Sequence, residues 1–442
     1  MTYSPKPVED ELGISQEIDL FIKHIDSIKY VLPVMVMVVQ QTAKRTWDEL
    51  KAFEDDNCEI EEDEDMRKVS VPYGALRQWR KKVRRHEDFH LASKLLPRSL
   101  IVSLVSQYDA YLGRLLRKVF IGKPDILNSS DRKLSFEDIS SLGSIENARD
   151  LILEKEVESI LRSSHADQFK WMENTFGLTL TKDLKIWPIF IELTERRNLF
   201  VHTDGVVSAQ YLSTCAKHKC TLAAGLEEGT ALFVSAEYFR QSHQCIFEIG
   251  TKLGHVLWRK LFPEQRQMAD SNLIGLTYDL IDRRRYSLAI CFLDFAFEGI
   301  KKFSDEASKL YLLINRAQAY KWSNDEKRCK QILAEVDWSA KSDNFKLAHA
   351  VLSDSFLDAQ QIMKRIGKGG SITSEAYRDW PLFKTFRESN EFLEMYSEIF
   401  GEDFKLSAKT MAVEALEDES IEPIVNDDLD LNQLENTEVS AL

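Results

Sequence analysis

Between residues 101 and 119 the apolar side chains Ile101, Leu104, Val105, Tyr108, Leu112, Leu115 and Val119 recur three and four residues apart. That spacing fits the 3.6-residue turn of an amphipathic helix, because a strand would throw members of the set to opposite faces. Further helices are predicted from about Ser144 to Ser163, from about His165 to Phe176, and from Trp187-Pro188, where proline takes a favourable first-turn position. "TDG" at 203–205 ends the last of these, since Gly205 can adopt the left-handed conformation that closes a helix. "ALFVSAEYF" then mixes a short β-like run with the start of a helix that continues through "IFEIGTKLGHVLWRKLF". Glycine (17) and proline (10) are scarce among 442 residues, so an all-α chain is expected, long enough for two or three domains.

Four regions are expected. Residues 1–95 hold a long amphipathic stretch, an acidic loop "DDNCEIEEDEDM" at 55–66 that should repel itself into solvent, and a basic helix. The apolar run "YVLPVMVMVV" from Tyr30 to Val39 has about half of the ~20 residues that a bilayer span needs, and is expected as a buried helix, with no membrane partner. Residues 96–265 carry the helices described above. Residues 270–404 read as paired helices with short polar turns: Ala289 and Ala296 stand seven apart around Leu293, and Ala317 and Tyr320 close another first helix. A weaker pair at about 344–366 and a closing unit in "DWPLFKTFRESNEFLEMYSEIF" complete a pattern that resembles tetratricopeptide repeats, which stack into curved partner-binding platforms. Residues 405–442 are acidic and poor in large apolar side chains, and are expected to be disordered, with Ile424, Val425, Leu429, Leu431 and Leu434 available to dock on a partner.

The net charge of −14 argues against a nonspecific coat on duplex nucleic acid, whose phosphates require clustered cations. The local exception is Arg77, Arg80, Lys81, Lys82, Arg84 and Arg85, a candidate RNA-binding face or a solvated helix surface docked on the acidic loop. Six cysteines at 58, 215, 220, 245, 291 and 329 form no disulfide framework, and the first residues lack a signal-peptide pattern. A reducing, cytoplasmic location is expected. "HEDFH" at 86–90 satisfies H-E-x-x-H, the zinc-hydrolase pattern, but Asp88 stands at an x position where an apolar residue is usual and no clear third ligand motif follows. "CAKHKC", with Cys215, His218 and Cys220, matches no usual zinc spacing. No phosphate loop, dinucleotide fingerprint or nucleophile elbow is present, so neither a metal nor another cofactor is expected.

The segment "ELTERRNLFVHTDG", 192–205, is the most informative. On an ideal helix Ile189, Leu193 and Phe200 share one side, Phe190 and Val201 widen it, and Arg197 projects into that apolar arc, while Asn198 and His202 form a neighbouring stripe with Ile191. A guanidinium there must meet a carboxylate, Asp109 or Glu195, or line a cleft open to an anion. Arg197 and His202 point about 140° apart, by the ~100° step per residue. One rigid helix therefore cannot easily bring both to one phosphate, and a twofold partner would.

"RNLFVH" matches the Rx4H motif and, with "SLIVSLVSQYDAYLGRLLRKVF" before it and "TDGVVSAQYL" after it, resembles the HEPN superfamily (higher eukaryotes and prokaryotes nucleotide-binding), prokaryotic branch, over roughly residues 97–262. The resemblance implies a helical bundle that dimerises so that two motifs line one cleft, acting as a metal-independent endoribonuclease of a toxin or phage-defence system. Arg197 and His202 match the motif, Asn198 matches its polar residue, and Asp109 matches an acidic residue on the first helix in a supporting role. The alternative is a noncatalytic scaffold or a nucleotide-binding regulatory protein.

Overall fold

The computed structural model describes residues 12–63, 66–129, 134–405 and 437–441. Two long helices, α1 (Ile14–Asn57) and α2 (Leu76–Gly122), run antiparallel. Residues rising along one meet residues falling along the other: Glu17 with Arg114 at 2.7 Å, His24 with Gln107 at 3.0 Å, and Thr46 with His86 at 3.4 Å. The stripe from Ile101 to Val119 is fully buried at all seven positions. α2 passes without a break through residues 95–97, with Pro97 inside it.

The all-helical expectation holds for most of the chain, with one small sheet between α1 and α2. β1 (Glu59–Asp63) pairs antiparallel with β2 (Met66–Val71), so the solvated loop expected at 55–66 is in large part a hairpin. Period-two alternation outweighed charge density here. Ile60 stands opposite Val69 and Glu61 opposite Lys68, while Val69 and Val71 pack with Leu50 and Trp79. β3 (Thr437–Ala441) lies parallel to β2, so this part of the expected disordered tail is a strand on a backbone edge that β1 leaves open. Ile424, Val425, Leu429, Leu431 and Leu434 lie outside the described residues.

The run from Tyr30 to Val39 is helical as expected, but it is not buried. Tyr30, Val31, Val34, Met35, Met37 and Val38 are exposed, and Val36 and Val39 half-buried. α1 has one packed side, and this run is apolar around its circumference, so its outer side stays bare. No described helix is long and apolar enough to cross a membrane.

The chain divides into two compact units. The first comprises Glu17–Phe120, Pro124–Gly250 and β3. It includes α3 (Phe136–Leu142), α4 (Ile145–Arg162), α5 (His165–Phe176), α6 (Trp187–His202), α7 (Ala209–Lys217) and the first part of α8 (Ala236–Leu261). Phe21 of α1 stacks on Tyr111 of α2 at 4.3 Å, against Gly250. A β-carbon at Gly250 would lie 2.5 Å from the Phe21 ring, which explains the glycine in this helix. An aromatic cluster joins α2, α5 and α6: Tyr108 meets Phe190 at 5.2 Å, and Phe169 meets Trp187 at 4.8 Å. The β-like run near Ala231 amounts to one bridge, Val206 to Ala231.

The second unit, built mainly from Thr251 onward, stacks paired helices. α9 (Arg266–Asp282) packs on α10 (Tyr286–Gly299), α11 (Glu306–Trp322) on α12 (Glu326–Leu333), and α13 (Asp343–Leu352) on α14 (Phe356–Ile366). α11 also packs on α9, α10 and α13; α15 (Ser374–Asp379) and α16 (Asn390–Phe400) complete the unit, with α16 against α14. The three pairs turn in one way. Arg284, Asn324 and Asp354 each adopt positive φ, and the next residue donates to a carbonyl five positions back: Arg285 to Leu280, Asp325 to Tyr320 and Ser355 to Ala350, at 2.8 to 2.9 Å. This is the hydrogen bond of a Schellman end, built with polar residues where glycine is usual. Ala289, Leu293, Ala296 and Ala317 are fully buried where helices approach.

A pH effect follows from His255 in this unit. Burial, reinforced by the charge of Arg259, holds its imidazole down at about 3, with Asn272 acting weakly the other way. The unfolded chain binds this proton near 6.5 and the folded chain does not. The stability that neutral His255 supports is therefore complete above about 6.5 and is lost as pH falls toward 3, by at most about 1.4 kcal/mol per pH unit. Urea unfolding at pH 7.5 and 5.0 should show a midpoint drop that shrinks in His255→Gln.

Candidate functional site

α6 is the helix on which the site is built. Pro188 enters at its first turn, Phe190, Ile191, Glu192, Leu193 and Thr194 are buried, and the helix then emerges so that Val201 and His202 are exposed. It ends where expected. Thr203 and Gly205 donate to the Leu199 carbonyl at 2.9 and 3.0 Å, and Gly205 takes φ +83°. Arg98 of α2 donates to the Asp204 carbonyl at 2.9 Å and lies over the rings of Phe200 and Phe233 at 5.7 and 5.6 Å, holding the helix end against α2.

Arg197 is only 20% exposed at its side chain and meets the carboxylate that the sequence offered first, Asp109. Its Nη2 donates to Asp109 Oδ2, and its Nη1 donates to Asn198 Oδ1 at 3.1 Å. The other Asp109 oxygen, Oδ1, lies 2.9 Å from Nε2 of His165, the first residue of α5. An ionised carboxylate only accepts, so the imidazole carries its proton on Nε2. His165 is enclosed, with its ring edge-on to Phe190 at 5.5 Å and near Tyr108 at 6.0 Å. Glu195 faces the same group: burial pushes its carboxyl above the usual range, and the charges of His165 and Arg197 pull only part of the way back.

The structure thus joins Arg197, Asn198 and Asp109, and adds His165. Sequence reasoning used His165 only to mark a helix start, because no spacing links it to Asp109, 56 residues earlier. His202 is exposed at the end of α6, and no side-chain contact among the described residues joins it to the cluster. Beneath the cluster, Glu192 accepts from Arg196 Nε at 2.6 Å, from the Tyr211 hydroxyl at 2.7 Å and from the Tyr238 hydroxyl at 2.9 Å. Arg196 also lies 3.9 Å from the centre of the Tyr238 ring. This network fixes the rotation of α6, and with it the direction of Arg197.

The basic stretch begins α2. Arg77, Arg80, Lys81, Arg84 and Arg85 are exposed, and Lys82 lies half-buried over the Phe53 ring at 5.7 Å. Arg85 meets Glu49 of α1 at 3.6 Å. Because these residues share α2 with Asp109, the 1.5 Å rise per residue puts them roughly 36 to 48 Å from it along the helix. They are a separate cationic surface.

In "HEDFH", His86 is buried against Thr46 and the Trp47 ring, and burial holds its pKa down. In "CAKHKC", burial pushes the Cys215 thiol up to about 12 and raises Cys220, while His218 Nδ1 accepts from Trp187 Nε1 at 3.3 Å. Among the described residues no group of three or more His, Cys, Asp or Glu is placed to hold a metal ion. None of the six cysteines, all among the described residues, forms a disulfide. Comparison of the chain with family models, characterised proteins and solved structures returns no match.

Proposed function

We propose that this chain is a metal-independent endoribonuclease of the HEPN type, cleaving RNA at a composite site between two copies. One observation carries the reading: α6 holds Arg197 at the edge of the packed interior, tied to side chains yet still reached by solvent, and presents His202 exposed at its end. The residue types suit the chemistry. An imidazole can take the proton from a 2′-hydroxyl or return one to the leaving oxygen. A forked, permanently charged guanidinium stabilises the phosphorane that forms between these steps. Asn198 holds one edge of that guanidinium. Because Arg197 and His202 diverge on one helix, a second copy related by a twofold axis supplies the opposing imidazole. The paired helices of the second unit would then serve to recognise a protein partner or trigger, and a cytoplasmic toxin or phage-defence role fits such an arrangement by analogy.

A specific observation favours the second reading, a noncatalytic scaffold: Asp109 already neutralises Arg197 within one copy. The two separate in a simple assay. Purified protein is incubated with single-stranded and structured RNA in EDTA, beside His202→Ala. Cleavage that persists in EDTA and falls at least about a hundredfold in the variant is expected for acid–base work by this imidazole. Equal cleavage by the variant would remove His202 from the reaction.

A further inference from the structure

We propose that the bare face of α1 is an interface between two copies of this chain, formed when the stretch from Tyr30 to Val38 packs antiparallel on its counterpart; the inference stands whether or not RNA is the substrate. No charged residue occurs between Lys29 and Lys44. Within that interval Tyr30, Val31, Val34, Met35, Met37 and Val38 are 43% to 58% exposed. At ~100° per residue these six side chains fall within one arc of about 160°. Val36 and Val39, which are half-buried, fall outside it. The contacts of His24 with Gln107 and of Thr46 with His86 bracket the stretch, so α2 runs along its other side. The exposure is therefore one coherent face of a helix and not a scatter of single residues.

Size and shape point to the occupant. With about half of each side chain open, the face presents on the order of 600 Å² of apolar surface, the upper end of the largest patch that a typical monomer leaves in water. A standard interface buries ~800 Å² per partner, a little over half of it apolar, so this face supplies what a stable dimer needs. An apolar stripe in mid-helix is also self-complementary about a twofold axis near Val34 and Met35, which sets Tyr30 of one copy beside Val38 of the other. Lys29 then falls near Gln40 of the second copy and meets no like charge. A bilayer is a poorer match, because a chain of net charge −14 is repelled by anionic headgroups.

Light scattering on the full-length protein at micromolar concentration reads the mass in solution, with circular dichroism as the check on folding. The unsubstituted protein should weigh at least twice the 51.1 kDa of one chain. Val34→Glu combined with Met35→Glu puts charge on exposed positions, which folding tolerates, yet buries that charge in the interface; the mass should halve and self-association weaken at least about a hundredfold. Val34→Lys combined with Met35→Lys should halve it likewise. Mixing the two double variants should return the mass to the unsubstituted value, since each glutamate then faces a lysine of the other copy. A monomeric unsubstituted protein, a glutamate variant of unchanged mass, or two variants that stay apart on mixing would each overturn the proposal. Sedimentation of a monomeric chain with phosphatidylcholine–phosphatidylserine vesicles, lost in the glutamate variant, would assign the face to a bilayer and overturn it too.

Discussion

Arg197→Ala is expected to lower RNA cleavage by about a hundredfold to a thousandfold, the range seen when one charge-stabilising donor is removed from a transition state. The size follows from position: Arg197 is the charged member of the motif at the packed edge of α6, and the cationic stretch from Arg77 to Arg85 lies tens of ångströms along α2, too far to substitute. Lysine should not rescue. It restores a charge but not the planar fork, and it cannot bond to Asp109 and Asn198 while turning a second edge to a phosphate. Loss of the ion pair leaves Asp109 with His165, so a modest stability loss of about 1–3 kcal/mol should accompany the change. Cleavage is therefore compared at a temperature where circular dichroism shows every variant folded. An Arg197→Ala protein that cuts at the unsubstituted rate would refute the proposed chemistry.

The elements that sequence periodicity predicted are those whose partners impose one packed side. Ile101 through Val119 repeats at helical spacing and is buried at each position, and Gly205 ends α6 by the left-handed turn that its residue type permits. Information of this kind is local. The hairpin at 59–71 is hard to read in sequence because the carboxylates of its first strand leave few apolar residues to mark the alternation that Ile60, Val69 and Val71 carry. The run at Tyr30–Val39 looked like core because apolar composition reports a preference for cover and not whether anything covers it. The helix-pair turns were obscured by chemistry: Arg284, Asn324 and Asp354 occupy positions where glycine would have announced the turn.

The site divides along the same line. The candidates Arg197, Asn198 and His202 lie within five steps on one helix, so spacing alone groups them, and Asp109 is one of two carboxylates that the charge of a buried-edge arginine calls for. His165 was not legible. Its contact is made by the packing of α5 against α2 and α6 through Phe169 and Phe190, and nothing near His165 in sequence specifies that meeting. The Tyr211 and Tyr238 partners of Glu192 are hidden likewise, 19 and 46 residues along.

Glu192→Ala should produce the largest loss of stability in the first unit, about 3–5 kcal/mol, because it breaks a buried ion pair and leaves the cation behind. Glu192 is 7% exposed and its two oxygens satisfy Arg196, Tyr211 and Tyr238. Burial above all, with the charge of Glu192 next, raises both tyrosine pKa values, so their hydroxyls stay protonated as donors through the ordinary pH range. Alanine strands both hydroxyls and the guanidinium together. Glutamine keeps one carbonyl acceptor, so Glu192→Gln should lose roughly half as much. Urea unfolding followed by tyrosine and tryptophan fluorescence measures the difference, and the other unit serves as an internal reference if its transition is separate. Since Glu192 precedes Arg197 by five residues on α6, the alanine variant should also misdirect the guanidinium and lose RNA affinity even at temperatures where it remains folded. A midpoint shift worth less than about 1 kcal/mol, as expected of an ordinary surface ion pair, would show that the network does not hold α6 in place.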